Sequence, residues 1–291
     1  MVHDIDARVI ENRRLSADYN VLSLEAPEIA RATEPGQFVM VKPHRSIEPL
    51  LRRPFSVFEI LREGGRPVGV SILSKRVGVT TSQIFDAEPG QHVQCLGPLG
   101  RAFSLPAAGT EVWMVAGGVG LAPFWTVAET LAGRGVPLTL FYGGRRDADL
   151  FYLDYFERLG VSMVLCTEDG SRGERGRVTL PLERSLAARQ GGADVLLHAC
   201  GPEPMLAAVA RLAARYDCRC EVSVERVMGC GLGGCYSCVV LARPSTGPGT
   251  GPSTGLGTGG VGDGAPHHTR TCIEGPVFDA QRVVWEAVAG H

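Results

Sequence analysis

The chain has 291 residues, 44% of them hydrophobic and 21% charged, with 29 Lys and Arg against 31 Asp and Glu for a formal charge of −2. That balance excludes a wholly disordered chain and offers none of the basic surplus with which nucleic-acid binders neutralise phosphate. No window reaches the roughly 18 uninterrupted apolar residues of a membrane span, because the most apolar stretch, 112–125, is broken by Gly117, Gly118, Gly120 and Pro123.

The start, MVHDIDARVIENRR, places acids where a secretion signal needs an apolar core. A cytoplasmic location is therefore expected, with the nine cysteines as thiols or metal ligands rather than disulfides. Residues 1–103 are short, β-rich and turn-punctuated: ARVIEN, YNVLSLEA, QFVMVKP, PFSVFEIL and VGVSILSK, with turns at Pro35-Gly36 and Glu63-Gly64-Gly65. This pattern predicts a small antiparallel β-barrel. Residues 104–216 change rhythm, alternating apolar strands (VWMVA, LTLFY, SMVLCT, DVLLHAC) with helical segments such as LAPFWTVAETLA and PMLAAVARLAARY, and CEVSV follows. Such alternation predicts a parallel sheet covered by helices, an α/β nucleotide-binding domain. Residues 217–291 form a third, cysteine-rich unit. It contains an insert, 244–266, in which nine of 23 residues are Gly, four Pro, four Thr and two Ser. So little apolar surface predicts a disordered loop.

The most specific chemical signal is Cys230-x4-Cys235-x2-Cys238 with a fourth cysteine at Cys272. Four thiolates can hold the two irons of a 2Fe–2S cluster, and this is the spacing of plant-type ferredoxins. Gly231, Gly233 and Gly234 would let the backbone curl and aim amides at the sulfurs. The alternatives are a structural zinc site, which usually pairs two C-x2-C knuckles, or unligated core thiols. Cys95, Cys166, Cys218 and Cys220 lack ligand spacing and are read as core packing.

Two strand-to-helix turns suit a dinucleotide. VWMVA runs into Gly117-Gly118-Val119-Gly120, and DVLLHAC ends at Cys200-Gly201-Pro202. Glycines at such turns let a pyrophosphate approach the backbone, although an ordinary tight βα turn would carry them too. In the first unit, Arg53-Pro54-Phe55-Ser56 sets a guanidinium, a rigid turn, an aromatic face and a hydroxyl side by side, a set that suits a flavin and its phosphates. The later segment Lys75-Arg76-Val77-Gly78-Val79-Thr80-Thr81, a glycine turn with hydroxyls, offers a second phosphate cradle. A solvated arginine beside core side chains is the plainer reading of each.

The order of these motifs is more specific than any one of them. RPFS, GVTT, GPLGRAF, GGVGLAP and CGPEPM in succession resemble the ferredoxin–NADP reductase superfamily. With SVERVMGCGLGGCYSCVV and Cys272-Ile273-Glu274-Gly275-Pro276-Val277-Phe278, the whole chain resembles the electron-transfer subunits of NAD-dependent (type B) dihydroorotate dehydrogenase. The resemblance implies FAD held by Arg53, Pro54, Phe55, Ser56, Leu73, Ser74, Lys75, Gly78, Thr80 and Thr81. It implies NAD(H) at Gly117, Gly118, Gly120, Cys200 and Gly201, and a 2Fe–2S cluster on Cys230, Cys235, Cys238 and Cys272. It further implies electron transfer with the FMN of a dihydroorotate dehydrogenase catalytic subunit in pyrimidine biosynthesis, two copies of each chain, and no nucleic-acid or membrane partner. Arg145-Arg146, after the second strand of the nucleotide domain, keep NADP open, since arginines there can accept a 2′-phosphate. Another flavin and iron–sulfur reductase subunit is the rival reading, and a redox sensor or zinc protein a third. A docking face is expected around Leu232, Tyr236 and Phe278.

Overall fold

A computed structural model describes residues 1–43, 48–106, 109–189, 194–244 and 265–285. Most of the Gly/Pro/Thr insert therefore lies outside the described residues.

The first unit is a closed antiparallel barrel. Its strands are β1 (His3–Arg14), β2 (Tyr19–Glu25), β3 (Phe38–Lys42), β4 (Arg53–Glu63), β5 (Arg66–Lys75) and β6 (His92–Leu99), in the order β1-β2-β5-β4-β3-β6. Val9, Leu22, Leu24, Val39, Val41, Val57, Val70 and Ile72 fill its interior. Two short helices, α1 (Pro27–Ala32) and α2 (Val79–Phe85), add Ile29 and Ile84 to the same core.

The second unit is a seven-stranded sheet. β7 (Thr110–Gly117), β8 (Leu138–Gly144), β9 (Ser162–Thr167), β10 (Glu174–Arg175), β11 (Asp194–Cys200) and β12 (Arg219–Ser223) are parallel, and β15 (Val277–Asp279) closes the edge antiparallel to β12. The order is β10-β9-β8-β7-β11-β12-β15. The chain thus builds outward from β7 in one direction and then returns to add β11 on its other side. That reversal is a topological switch point, where open α/β sheets bind their ligands. The helices α3 (Phe124–Ala132), α4 (Leu153–Arg158), α5 (Thr179–Ala188) and α6 (Glu203–Arg215) follow β7, β8, β10 and β11. In α6 the buried residues Leu206, Val209, Ala210 and Ala213 recur at helical spacing, with Glu203 in the first turn and Arg215 in the last to suit the helix dipole.

Both β12 and β15 come from residues beyond 216, so the cysteine-rich segment is an excursion from the edge of the nucleotide-domain sheet. Between them lie the short hairpin β13 (Val239–Ala242) with β14 (His267–Arg270) and one helical turn, α7 (Thr271–Glu274). Phe278 pairs with Val222 and is buried against the second core, so the expected docking face loses that residue.

Barrel and sheet are fastened by contacts between distant residues. Arg13 donates to the Tyr152 hydroxyl at 2.5 Å, and Phe58 meets the Tyr152 ring edge-on at 4.7 Å between centroids. Phe103, in the connection between the units, stacks on the buried His198 of β11 at 4.5 Å. The next residue, Ser104, donates its amide to Glu221 of β12 at 2.8 Å. Among the described residues no helix is long and apolar enough to cross a membrane.

Candidate functional site

The flavin candidates gather at one end of the β4–β5 ribbon. Val57 of β4 faces Ile72 of β5 in an antiparallel ladder, which brings Arg53–Ser56 and Leu73–Lys75 to the same end. Arg52 is spent on Asp4 at 2.7 Å. Arg53 is exposed and bonds only the carbonyls of Leu51 and Arg52, at 3.1 and 3.2 Å, leaving its charge without a carboxylate among the described residues. Ser74 is 1% exposed and its hydroxyl has no partner among the described residues. A buried hydroxyl left unpaired costs about 1–3 kcal/mol, so an acceptor or donor from a bound cofactor fits this position. Lys75 lies over the Tyr19 ring at 5.4 Å. In the following turn the Thr81 hydroxyl already accepts the amides of Val77 at 2.8 Å and Gly78 at 3.0 Å, and Thr80 is buried. Those two amides are therefore satisfied within the loop.

At the switch point the two glycine turns abut. A Cβ on Gly120 would stand 2.1 Å from the Cys200 carbonyl oxygen, and one on Gly201 would stand 3.0 Å from the Gly117 nitrogen. A Cβ on Gly117 would meet Pro202 and Met205 at 2.8 Å. Gly118 has a φ of 54° and open space around it. Gly120 and Gly117 thus let β7 and β11 close together, while Gly118 supplies a left-handed turn facing open space. Burial and then the charge of Glu225 push the Cys200 thiol up to about 12, so it is a neutral wall of the site. Arg145 donates from Nε to the buried Asp149 carboxylate at 3.1 Å, and the Arg146 Nε lies 3.9 Å from the same group.

The four cysteines come together as two pairs. Hydrogen bonds from Ser237, whose hydroxyl lies 3.2 Å from the sulfur, and from Cys230 draw the Cys235 thiol down to about 6. Cys238 and Cys272 share a hydrogen bond that draws Cys238 down to about 6 and pushes Cys272 up. The Leu232 amide donates to the Cys230 sulfur at 3.3 Å. Gly231 and Gly233 hold φ values of 73° and 79°, whereas Gly234 is neither left-handed nor crowded. Among the described residues no three metal-ligating side chains close on a single point. Two thiol pairs with an amide aimed at sulfur match the donor set of a two-iron cluster better than that of one zinc ion.

The cysteine loop rests on the barrel. Phe38, Met40, Leu96 and Leu99 form one buried cluster with Met228, Cys238 and Cys272. A cleft of about 440 Å³ beside it is lined by Leu99, Gly100, Leu232, Cys272 and Ile273 among others. Leu232, Tyr236 and Ile273 are 56%, 49% and 42% exposed, large values for apolar side chains. Cys95, Cys166 and Cys220 are buried, and Cys218 is half-buried beside Arg189 at 3.5 Å. Sequence reasoning missed Glu225, which lies in the SVERVMGCGLGGCYSCVV segment but was given no role there, and the Asp149 partner of Arg145.

Residues 114–211 match a family described as the oxidoreductase NAD-binding domain. The chain is 34% identical over 282 residues to the dihydroorotate dehydrogenase B (NAD(+)) electron transfer subunit of Desulforamulus reducens, covering 97% of this chain and 98% of that one. It is 37% identical over 279 residues to the protein of that name from Bacillus caldolyticus, covering 94% and 96%. Among solved structures it is similar to an NADH-dependent reduced ferredoxin-NADP oxidoreductase, with a TM-score of 0.79 at 22% identity over 98% of this chain and 92% of that one. It is also similar to a cytochrome P450 reductase from Amycolatopsis, with a TM-score of 0.61 at 27% identity over 74% and 66%.

Proposed function

Because the chain belongs to the family of dihydroorotate dehydrogenase B (NAD(+)) electron transfer subunits, we propose that it carries electrons between the FMN of a dihydroorotate-oxidising catalytic subunit and NAD+, by way of a 2Fe–2S cluster and FAD. When bound, the flavin supplies the conversion between hydride transfer and single-electron transfer that a nicotinamide and an iron–sulfur cluster cannot perform on each other. The chain's own residues hold these groups in sequence. Arg53 to Ser56 and Leu73 to Thr81 hold the flavin, with Arg53 on a phosphate and Ser74 given a partner. Gly117, Gly118, Gly120, Cys200 and Gly201 admit the nucleotide at the switch point. Cys230, Cys235, Cys238 and Cys272 would hold the cluster, which would supply one-electron transfer there.

One observation carries this reading: Met40 joins the flavin end of the barrel to the cysteine loop. It pairs with Pro54 across the β3–β4 ladder, and a Cβ on Gly231 would stand 2.7 Å from its Cγ. Electron transfer between two carriers needs them close and rigidly spaced, and a residue whose backbone pairs with Pro54 while its buried side chain packs on Gly231 supports that spacing. Asp149 occupies Arg145, which argues for NAD(H) over a 2′-phosphorylated nucleotide.

Leu232, Tyr236 and Ile273, apolar side chains exposed beside the cysteines, support docking of the catalytic subunit there. Two copies of each chain, closed by a two-fold axis, are the expected assembly. A cytoplasmic setting suits nine cysteines without a disulfide among the described residues. The purified chain should reduce artificial acceptors with NADH yet oxidise dihydroorotate only after the catalytic subunit is added. Dihydroorotate oxidation by this chain alone, or no binding to that subunit, would overturn the reading. NADPH outrunning NADH would move it to the ferredoxin-NADP oxidoreductase type.

A further inference from the structure

At the mouth of β11 is a cavity of about 170 Å³ lined by Gly201, Pro202, Glu203, Leu206, Val224 and Glu225. Pockets for whole drug-sized ligands start near about 300 Å³, so this space suits one ring of a ligand whose remainder lies along the surface. It adjoins the turn where Gly201 approaches Gly117, the switch point at which the proposed function seats the nucleotide.

Two carboxylates reach the cavity, and they differ in their neighbours. Arg226 donates to Glu203 at 2.7 Å, and the two side chains are only 20% and 28% exposed, so those charges cancel locally. Glu225 has no cationic partner among the described residues; Arg226 bonds only its backbone carbonyl, at 3.1 Å. One uncompensated negative charge therefore remains at the rim. That charge also acts on the neighbouring Cys200 at the end of β11, whose thiol it raises after burial has done so. Nicotinamide changes charge when it reacts: the oxidised ring is a cation and the reduced ring is neutral. A fixed carboxylate beside the ring stabilises the cation and leaves the neutral form almost unaffected.

We propose that Glu225 makes this site selective for oxidised NAD+ over NADH, so that the chain binds the oxidised nucleotide and releases the reduced one. This rests on the proposed function, in that the cavity is taken as the nicotinamide end of the nucleotide site.

The test is calorimetric titration of the FAD-loaded chain and its Glu225→Gln variant with NAD+ and with NADH, separately. Glu225 is exposed and no side-chain hydrogen bond of its own depends on it, so the variant should fold. NAD+ affinity should fall about fivefold, the size of one exposed charge contact, with NADH affinity unchanged. The difference should shrink at high salt, and Glu225→Asp should retain the preference. Equal weakening of both nucleotides, or no change in either, overturns the inference while leaving the proposed function standing. A wild-type chain binding neither nucleotide overturns both.

Discussion

Gly120 lies so close to Cys200 that a Cβ added to it would stand 2.1 Å from that residue's carbonyl oxygen. The obstacle is backbone in a central strand and cannot rotate away. Gly120→Ala should therefore part the two turns and destabilise the nucleotide domain by about 1–3 kcal/mol, as overpacking does. Gly118→Ala meets open space and only the strain of a φ of 54°, about 1–2 kcal/mol. Thermal unfolding with NADH titration separates them: Gly120→Ala should lose nucleotide affinity as well as stability. A Gly120→Ala protein that binds NADH as tightly as the unaltered chain would show that the abutting turns are no part of the site.

The unpartnered Ser74 hydroxyl gives the flavin assignment a test with opposite signs in the two states. Ser74→Ala removes a buried unsatisfied group, so the FAD-free protein should gain about 1 kcal/mol of stability. The same change should weaken FAD binding, because the bound flavin loses that hydroxyl as a hydrogen-bond partner. Arg53→Ala, which deletes an exposed guanidinium, should leave apoprotein stability unchanged and reduce FAD retention about tenfold or more. Chemical denaturation of apoprotein and fluorescence titration with FAD read both effects. A Ser74→Ala protein with unchanged FAD affinity would place that hydroxyl outside the flavin site.

Hydrogen bonding to Ser237 and Cys230 favours the Cys235 thiolate, with a pKa drawn down to about 6. In cluster-free protein the thiolate fraction rises as pH passes upward through that value, so iodoacetamide should label Cys235 increasingly between about pH 5 and 7. Its depressed pKa also contributes stability above the unfolded thiol value that fades as pH falls toward 6. Cys200, raised to about 12, should stay unlabelled throughout. Peptide mapping by mass spectrometry distinguishes them, and Ser237→Ala should move the Cys235 midpoint upward. A midpoint near 8.5 in the unaltered protein would refute the assignment.

What was legible in the sequence was local. The spacing of Cys230, Cys235 and Cys238 survives folding because one loop carries all three, and alternation in β1, where Ala7 and Val9 are buried between exposed neighbours, marks a strand with one buried face. Pairings between distant segments left no such trace. Nothing near Phe278 announces that β15 will cover the edge of β12, so a side chain in a short terminal strand reads as surface although it pairs with Val222. Asp149 is four residues from Arg145, but only the fold reveals that this carboxylate is buried and holds the arginine. Glu225 lies in the segment SVERVMGCGLGGCYSCVV, whose cysteines draw the attention, and its lack of a cationic partner among the described residues depends on Arg226 turning toward Glu203 on another element.

The Gly/Pro/Thr insert tests how far composition alone can be trusted. Ala242 pairs with His267, Leu241 with His268 and Val240 with Thr269, so the two ends of the insert are already held side by side by a hairpin. Closing a loop whose ends are fixed costs entropy that grows only slowly with length, about 0.6 kcal/mol for each doubling. Shortening should therefore stabilise slightly, provided enough chain remains to turn between the strands. Replacing 245–264 by a four-residue turn built on Asn-Gly is expected to keep the hairpin, because that pair favours the turn that joins antiparallel strands. Thr271 follows directly and donates its amide to the Cys238 carbonyl at 2.9 Å, so the hairpin also fixes the register of Cys272 against Cys238. The shortened protein should unfold within about 1 kcal/mol of the original and bind the same iron and sulfide per chain. Loss of iron with the hairpin intact would mean that the insert itself supports the cluster, and loss of catalytic-subunit binding alone would assign it to the interface.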